Sequence, residues 1–236
     1  ASAKRTMSIW QDSIKTVERY NEPGKFTAFL GFEYTLMQGG NNLHRNVIFR
    51  DSGNRVAQFP PLASFGTTKP DELWDYLDTY EAKTGGKALT IPHNSNLSNG
   101  LMFMMTDPSG GPMSADYARR RAAREPLVEI TQIKGDSEAH PFMSPNDEFA
   151  GYGTAGWELG DLMMVERTTP EMQPGSYVRE ALPDANVLKL GASWPLPDQL
   201  LRRYCESVDR IFVVEELEPV IEQEIRALAL GQVVLA

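Results

Sequence analysis

The chain contains three histidines, and each stands where a polar cluster meets an apolar run. His44 opens His44-Arg45-Asn46 ahead of Val47-Ile48-Phe49. His93 closes Leu89-Thr90-Ile91-Pro92 and is followed by Asn94-Ser95-Asn96. His140 ends Lys134-Gly135-Asp136-Ser137-Glu138-Ala139. Glu33 follows the apolar run Phe29-Leu30-Gly31-Phe32. Imidazoles and a carboxylate are a natural donor set for Zn, Mn or Fe ions. Side chains at strand ends point into the mouth of an α/β sheet or barrel, where sites are built. The placement therefore points to a metal site assembled from several strand ends. No HExxH spacing occurs, and three unrelated, hydrogen-bonded histidines account for the positions equally well.

The elements that must position these residues read as follows. Met7, Ile9, Trp10, Ile14, Val17 and Tyr20 recur at near-helical spacing, and Asn21-Glu22-Pro23-Gly24 stops that helix. Residues 26–34 and 45–50 read as strands, separated by a turn at Gln38-Gly39-Gly40-Asn41-Asn42. Asp51-Ser52-Gly53-Asn54 ends the second strand, and residues 59–70 read as loop. Pro70-Asp71-Glu72 starts a helix that runs through Leu77 and Tyr80 to Gly85-Gly86. Residues 87–92 form a third strand, 114–124 a helix and 127–132 a fourth strand. Leu101-Met102-Phe103-Met104-Met105 reads as a lid over the site or as core packing by adaptable Met. Residues 133–176 are rich in Gly, Pro, Asp and Glu, and segments of that kind are functional or disordered. After Leu182-Pro183-Asp184 the texture changes to a β-α-β-α unit: strand 187–191, helix 197–208, strand 210–215, helix 219–230.

Composition narrows the partners. With 236 residues and a net charge of −9, the chain lacks the basic surface that nucleic-acid backbones require. Arg119-Arg120-Arg121 reads as the solvated face of a helix, with a substrate-phosphate role as the alternative. No stretch is long and apolar enough to span a membrane, and no signal peptide is visible. Localisation is open, and the missing initiator Met marks the chain as an excerpt of something longer. Cys205 lies in an amphipathic pattern and reads as a packed apolar residue, not a nucleophile.

Several long motifs carry a family resemblance. They include Gly31-Phe32-Glu33-Tyr34-Thr35, the run Gly40 to Arg50, and Ile91-Pro92-His93-Asn94-Ser95-Asn96-Leu97-Ser98-Asn99-Gly100. Gln132 to Pro141, Ser144-Pro145-Asn146-Asp147-Glu148-Phe149, Thr169-Pro170-Glu171-Met172 and Gly175 to Leu182 continue it. Residues 1–182 thereby resemble the DUF3604 family, itself similar to the PHP superfamily of metal-dependent phosphoesterases. The resemblance implies an α/β fold, an incomplete PHP-like (β/α) barrel, with Glu33, His44 and His93 as ligands to one or two divalent ions. His140 would be a further ligand or a substrate contact, Asp136 and His140 could serve as outer-shell groups or the general acid, and Arg45, Asn94 or Asn96 could orient an anionic ester. The asparagines serve equally well as caps of the strand-to-loop turns. The superfamily's HxH and DxH pairs are absent from the chain, so a crippled site with near-background turnover is the expectation.

Residues 183–236 resemble another family. Leu188-Lys189-Leu190-Gly191, Pro195-Leu196-Pro197 and Val213 to Glu222 look like the large subunit of indolepyruvate ferredoxin oxidoreductase, a thiamine-diphosphate enzyme. The likeness falls in a connecting domain and implies no catalytic residue. Three readings result: a metal-dependent hydrolase of phosphoric or related esters, incomplete here; a fragment of a thiamine-dependent oxidoreductase; and a non-catalytic fusion remnant. The first implies a small anionic ester as partner.

Overall fold

The computed structural model describes residues 2–64, 67, 69–107, 110–153, 174–181, 198–207 and 225. The chain divides into two units, Ala1–Leu182 and Pro183–Ala236. The first unit is built on a three-stranded sheet in the order β1 (Leu30–Tyr34), β4 (Arg45–Phe49), β5 (Ala88–Pro92). Both pairings are antiparallel. A small hairpin, β2 (Met37–Gln38) with β3 (Asn41–Asn42), fills the turn between β1 and β4. The described residues form a mixed α/β structure, and no closed barrel and no parallel strand pair occurs among them.

Pairing register sorts the side chains onto two faces, because successive residues of a strand alternate. Leu30, Phe32 and Tyr34 lie opposite Phe49, Val47 and Arg45, which lie opposite Ala88, Thr90 and Pro92. That first face is the core face: Leu30, Tyr34, Val47 and Phe49 are buried in one cluster with Trp10 and Ile14 of helix α1 (Ser2–Tyr20). Leu73, Leu77 and Tyr80 of helix α3 (Pro70–Thr84) join the same cluster. Their spacing of four and three residues is what an amphipathic helix face requires. Phe49 and Tyr80 meet at a centroid distance of 4.9 Å, an edge-on geometry that aromatic rings favour. Gly31, Glu33, Asn46, Ile48, Leu89 and Ile91 lie on the second face.

Helix α3 begins and ends where its residues dictate. Pro70 occupies the first turn, Asp71 and Glu72 face the dipole's positive end, and Glu72 accepts the backbone N–H of Lys69. Gly85 ends the helix in the left-handed region at φ 67°, its N–H donated to the carbonyl of Glu81 at 2.9 Å. In helix α4 (Ala115–Arg124) the Ser114 hydroxyl accepts the Tyr117 N–H at 3.1 Å.

Several local expectations need correction. The strand read over 26–34 is ordered as a strand only from Leu30, and after the second strand Gly53 starts a one-turn helix α2 (Gly53–Val56). The strand read over 127–132 shortens to β6 (Thr131–Gln132), paired with β7 (Gly135–Asp136). Of the lid candidate, Met102 and Phe103 are core residues and Met105 is exposed. Of the triple arginine, Arg119 is exposed, Arg120 half-exposed and Arg121 largely buried. Arg120 bonds Asp75 and Asp78 at 2.5 and 2.6 Å, and the Arg121 side chain is 17% exposed against buried Glu125.

Further along, Ser137 and Glu138 carbonyls receive the N–H groups of Val178 and Arg179 at the start of α5 (Val178–Ala181). In the second unit, α6 (Asp198–Glu206) matches the helix expected there, with Leu201 and Cys205 buried one turn apart. The strands read at 187–191 and 210–215 and the helix at 219–230 lie outside the described residues, Ile225 excepted. Among the described residues no helix is long and apolar enough to cross a membrane.

Two glycine substitutions separate close packing from backbone strain. A Cβ at Gly31 would lie 2.4 Å from the Val47 carbonyl oxygen, a backbone atom that cannot yield without breaking the β1–β4 pairing. A Cβ at Gly85 meets nothing within 4 Å, so only the left-handed φ resists it. We expect Gly85→Ala to cost about 1 kcal/mol and Gly31→Ala about 3 kcal/mol in denaturant unfolding. Equal losses would remove the claim that the sheet's approach at Gly31 is limiting.

Candidate metal centre

Glu33, His44 and His93 come together because of the register just described. Glu33 sits opposite Asn46 on the second face, and His44 lies two residues before Asn46, on the same side. Arg45 pairs with Pro92, so the next pair outward is His44 with His93. The His93 N–H donates to the His44 carbonyl at 3.3 Å, extending the ladder by one step. His44 is held further by its own N–H, which donates to Asn42 Oδ1 at 2.9 Å. Past His93 the chain turns sharply: Asn94 adopts the left-handed region at φ 53° and opens a short helical turn.

One carboxylate oxygen bridges the two rings. Glu33 Oε1 lies 3.0 Å from His44 Nδ1 and 3.1 Å from His93 Nε2. The ring centroids are 5.8 Å apart, and one potential donor atom from each residue falls within 4.8 Å of the others. The histidine side chains are 11% and 6% exposed, whereas that of Glu33 is 45% exposed. The site is thus a carboxylate on the solvent side with two buried imidazoles behind it. Burial pushes the His44 pKa below its ordinary value; Glu33 opposes that shift, while the charges of His93 and Lys134 add to it. The imidazole of His44 is consequently the neutral, ligand-competent form at physiological pH.

The donor set fits a divalent ion. Two imidazole nitrogens and a carboxylate oxygen are the ligands that borderline metals select. Each ring also keeps a buried nitrogen without a hydrogen-bond partner among the described residues, His44 Nε2 and His93 Nδ1. These are not the nitrogens that meet Glu33, so His44 Nδ1 and His93 Nε2 are the ones placed to hold an ion with the carboxylate.

The remaining residues singled out in the sequence make the following contacts. Arg45 lies on the core face, 1% exposed, with Nε on Glu125 at 2.8 Å and Nη1 on the Leu43 carbonyl at 2.6 Å. It therefore does not face the Glu33 cluster. Asn94 is buried, and its Oδ1 accepts from Gln132 Nε2 at 2.9 Å. Asp136 is buried in β7, where Oδ1 accepts the Glu138 N–H at 2.8 Å. His140 Nδ1 accepts the Phe142 N–H at 3.1 Å, and its ring lies 5.6 Å from that of Tyr177. Sequence reasoning missed Asn42 as the support of His44 and Lys134 as a nearby positive charge. The turn Gly40-Asn41-Asn42 carried the only hint of the former, and nothing marked the latter.

The depressed His44 pKa fixes a pH dependence. The unfolded chain takes up this proton near the ordinary value of 6.5, before the folded protein does. Stability from this group is complete above that value and falls as pH drops from it toward the folded pKa. In chelator-treated protein, His44→Asn should flatten the loss of stability as pH falls below about 6.5, measured by denaturant unfolding. An unchanged slope would show that His44 is not buried as described.

Comparison with known proteins comes in two parts. A segment of 59 residues is 41% identical to indolepyruvate oxidoreductase subunit IorA of Pyrococcus abyssi, covering 23% of this chain and 9% of that protein. The counterpart from Thermococcus kodakarensis is 39% identical over 59 residues, with the same coverage. That from Archaeoglobus fulgidus is 37% identical over 62 residues, 25% of this chain and 10% of that protein. The chain thus spans about a tenth of the length of these curated relatives. No solved structure matches. The family model described as "Protein of unknown function (DUF3604)" matches residues 1–190, most of the chain and the whole of the Glu33 cluster, so the chain belongs to the DUF3604 family.

Proposed function

We propose that Glu33, His44 and His93 hold a divalent metal ion and that the site serves hydrolysis of a phosphoric or related ester. The supporting observation is the convergence of one half-exposed carboxylate and two buried imidazoles, with His44 Nδ1 and His93 Nε2 both on Glu33 Oε1. An ion held there supplies Lewis acidity and an activated water. The chain's own groups set the rest. Burial keeps His44 neutral, and the backbone bond from His93 to His44 fixes the spacing of the rings. Glu33, on the solvent side, leaves an approach for substrate. Lys134 acts electrostatically on His44, and this half-buried cation takes the anion-orienting role that the sequence assigned to Arg45. His140, whose Nδ1 accepts a backbone N–H, carries its proton on Nε2 in the neutral form and so can donate one. Asp136, held by the Glu138 N–H, stays in the reading as an outer-shell group.

The similarity to an oxidoreductase subunit supports a second reading, confined to the matched segment: that it serves as a structural part of a larger oxidoreductase chain.

Equilibrium dialysis of the purified chain against Mn or Zn tests the main reading. One ion should bind, and His93→Ala should weaken it by roughly 100-fold, at the upper end of the 10–100-fold seen for outer-shell changes. Hydrolysis of bis(p-nitrophenyl) phosphate should follow metal loading. In Lys134→Met, KM should rise about tenfold with kcat little changed, the signature of lost ground-state binding. Absence of metal binding by the wild-type chain would sink the proposal.

A further inference from the structure

A cavity of about 270 Å³ lies on the core side of β4, and none of Glu33, His44 or His93 lines it. Its walls come from β4, the start of α3, the Met-rich segment and α4. Trp74, Tyr117 and Met102 form the apolar part, and the Trp74 and Tyr117 rings stand 5.2 Å apart. Arg45 and Arg121 form the charged part, with exposed Lys69 at the mouth.

The two arginines share a single counter-ion. Glu125 Oε1 accepts from Arg45 Nε at 2.8 Å and from Trp74 Nε1 at 3.1 Å, and its Oε2 accepts from Arg121 Nε at 3.2 Å. Arg45 also donates to the Leu43 carbonyl and Arg121 to that of Met102, each at 2.6 Å. These bonds leave Arg45 Nη2 and Arg121 Nη1 without a partner among the described residues. The triad of two guanidiniums and one carboxylate carries one net positive charge, in side chains that are 1%, 17% and 2% exposed. Buried charge left uncompensated is costly, and like charges repel more strongly where water is scarce. Burial accordingly pulls the Arg121 guanidinium below its ordinary value, with Glu125 opposing and Arg45 reinforcing the shift.

We propose that this cavity binds a small aromatic carboxylate, its acid group on Arg45 and Arg121 and its ring against Trp74, Tyr117 and Met102. A monoanion matches the net charge of the triad, whereas a dianionic phosphate monoester overshoots it. Guanidinium forks pair bidentately with planar carboxylates. The volume equals roughly nine liquid waters, room for one ring and its acid group. Few polar groups in a mainly apolar concavity is the usual constitution of a small-molecule site. This ligand is separate from the ester substrate proposed above, since the cavity and the Glu33 cluster use opposite faces of the sheet.

Calorimetric titration of the full chain in EDTA, with benzoate as probe, tests the proposal. Benzoate should bind at one site, at least about tenfold tighter than neutral benzamide, the difference that one charge-assisted contact supplies. Phenyl phosphate as the dianion should bind more weakly than benzoate. Arg121→Gln should weaken benzoate about tenfold or more. Met104→Trp, which narrows the cavity and leaves the three ion-pairing residues in place, should abolish binding and retain the melting temperature. It carries the test should Arg121→Gln not fold. His93→Ala should leave benzoate binding unchanged. The proposal is overturned by benzamide binding equally, by phenyl phosphate binding more tightly, by binding that survives Met104→Trp, or by binding lost in His93→Ala.

Discussion

The carboxylate of Glu125 is buried, with its side chain 2% exposed, and three elements converge on it. Arg45 reaches it from β4, Trp74 from α3 and Arg121 from α4. A carboxylate removed from water costs several kcal/mol unless its lone pairs are met in good geometry. Burial raises the pKa of Glu125, yet the neighbouring charges of Arg45 and Arg121 and the bonds from Arg45 and Trp74 more than reverse the effect, so it stays ionised. Each of the three donors must therefore be in place for any to be satisfied. The requirement falls hardest on β4, where a slip of one residue would exchange the faces of Arg45 and His44. Pinning Arg45 to the core face thus aims His44 at the other, beside Glu33 and His93. The candidate metal centre and the cavity depend on the same constraint from opposite sides of one sheet.

Much of the local structure was legible. Pro70, the first-turn acids and Gly85-Gly86 bounded α3 because proline, dipole and left-handed glycine act through nearest neighbours. The apolar runs at 45–50 and 87–92 located two strands to within a residue or so. Glu33, His44 and His93 could be named from residue types, since chemistry is written in side-chain identity. What could not be read was anything that depends on distant pairing. Arg121 sits among arginines on a helix that otherwise looks solvated, and only Glu125, four residues on, together with β4 across the fold, makes it a buried group.

Strand direction was the larger miss. A run of apolar residues carries no sign for its orientation, and the barrel expectation came from family resemblance. One local feature argued against it. Residues 35–44 join β1 to β4 without a helix, and parallel neighbours need a crossover of a dozen or more residues. A turn-rich link with glycines at 39 and 40, both at positive φ, belongs to an antiparallel return. The second connection, across α3, is long enough for either sense, and its antiparallel outcome was not encoded locally. The strand read at 127–132 failed for a related reason: Glu129 donates one backbone bond to the Pro92 carbonyl, and the chain then folds back on itself at Ile133-Lys134 instead of extending the sheet.

The Glu33 cluster admits an account as a purely structural histidine–carboxylate bridge, and the burial pattern weighs against it. In such a bridge the partners would be sequestered together, because exposure weakens an ion pair to a fraction of a kcal/mol. Here the carboxylate is the half-exposed member and the imidazoles are the buried ones. Burial further opposes the protonated form of His44, the form that would make the bridge an ion pair. A sequence selected for stability alone would do better with an apolar residue at either histidine. Retaining two imidazoles and a carboxylate, convergent within 4.8 Å, is the arrangement expected where a cation completes the set.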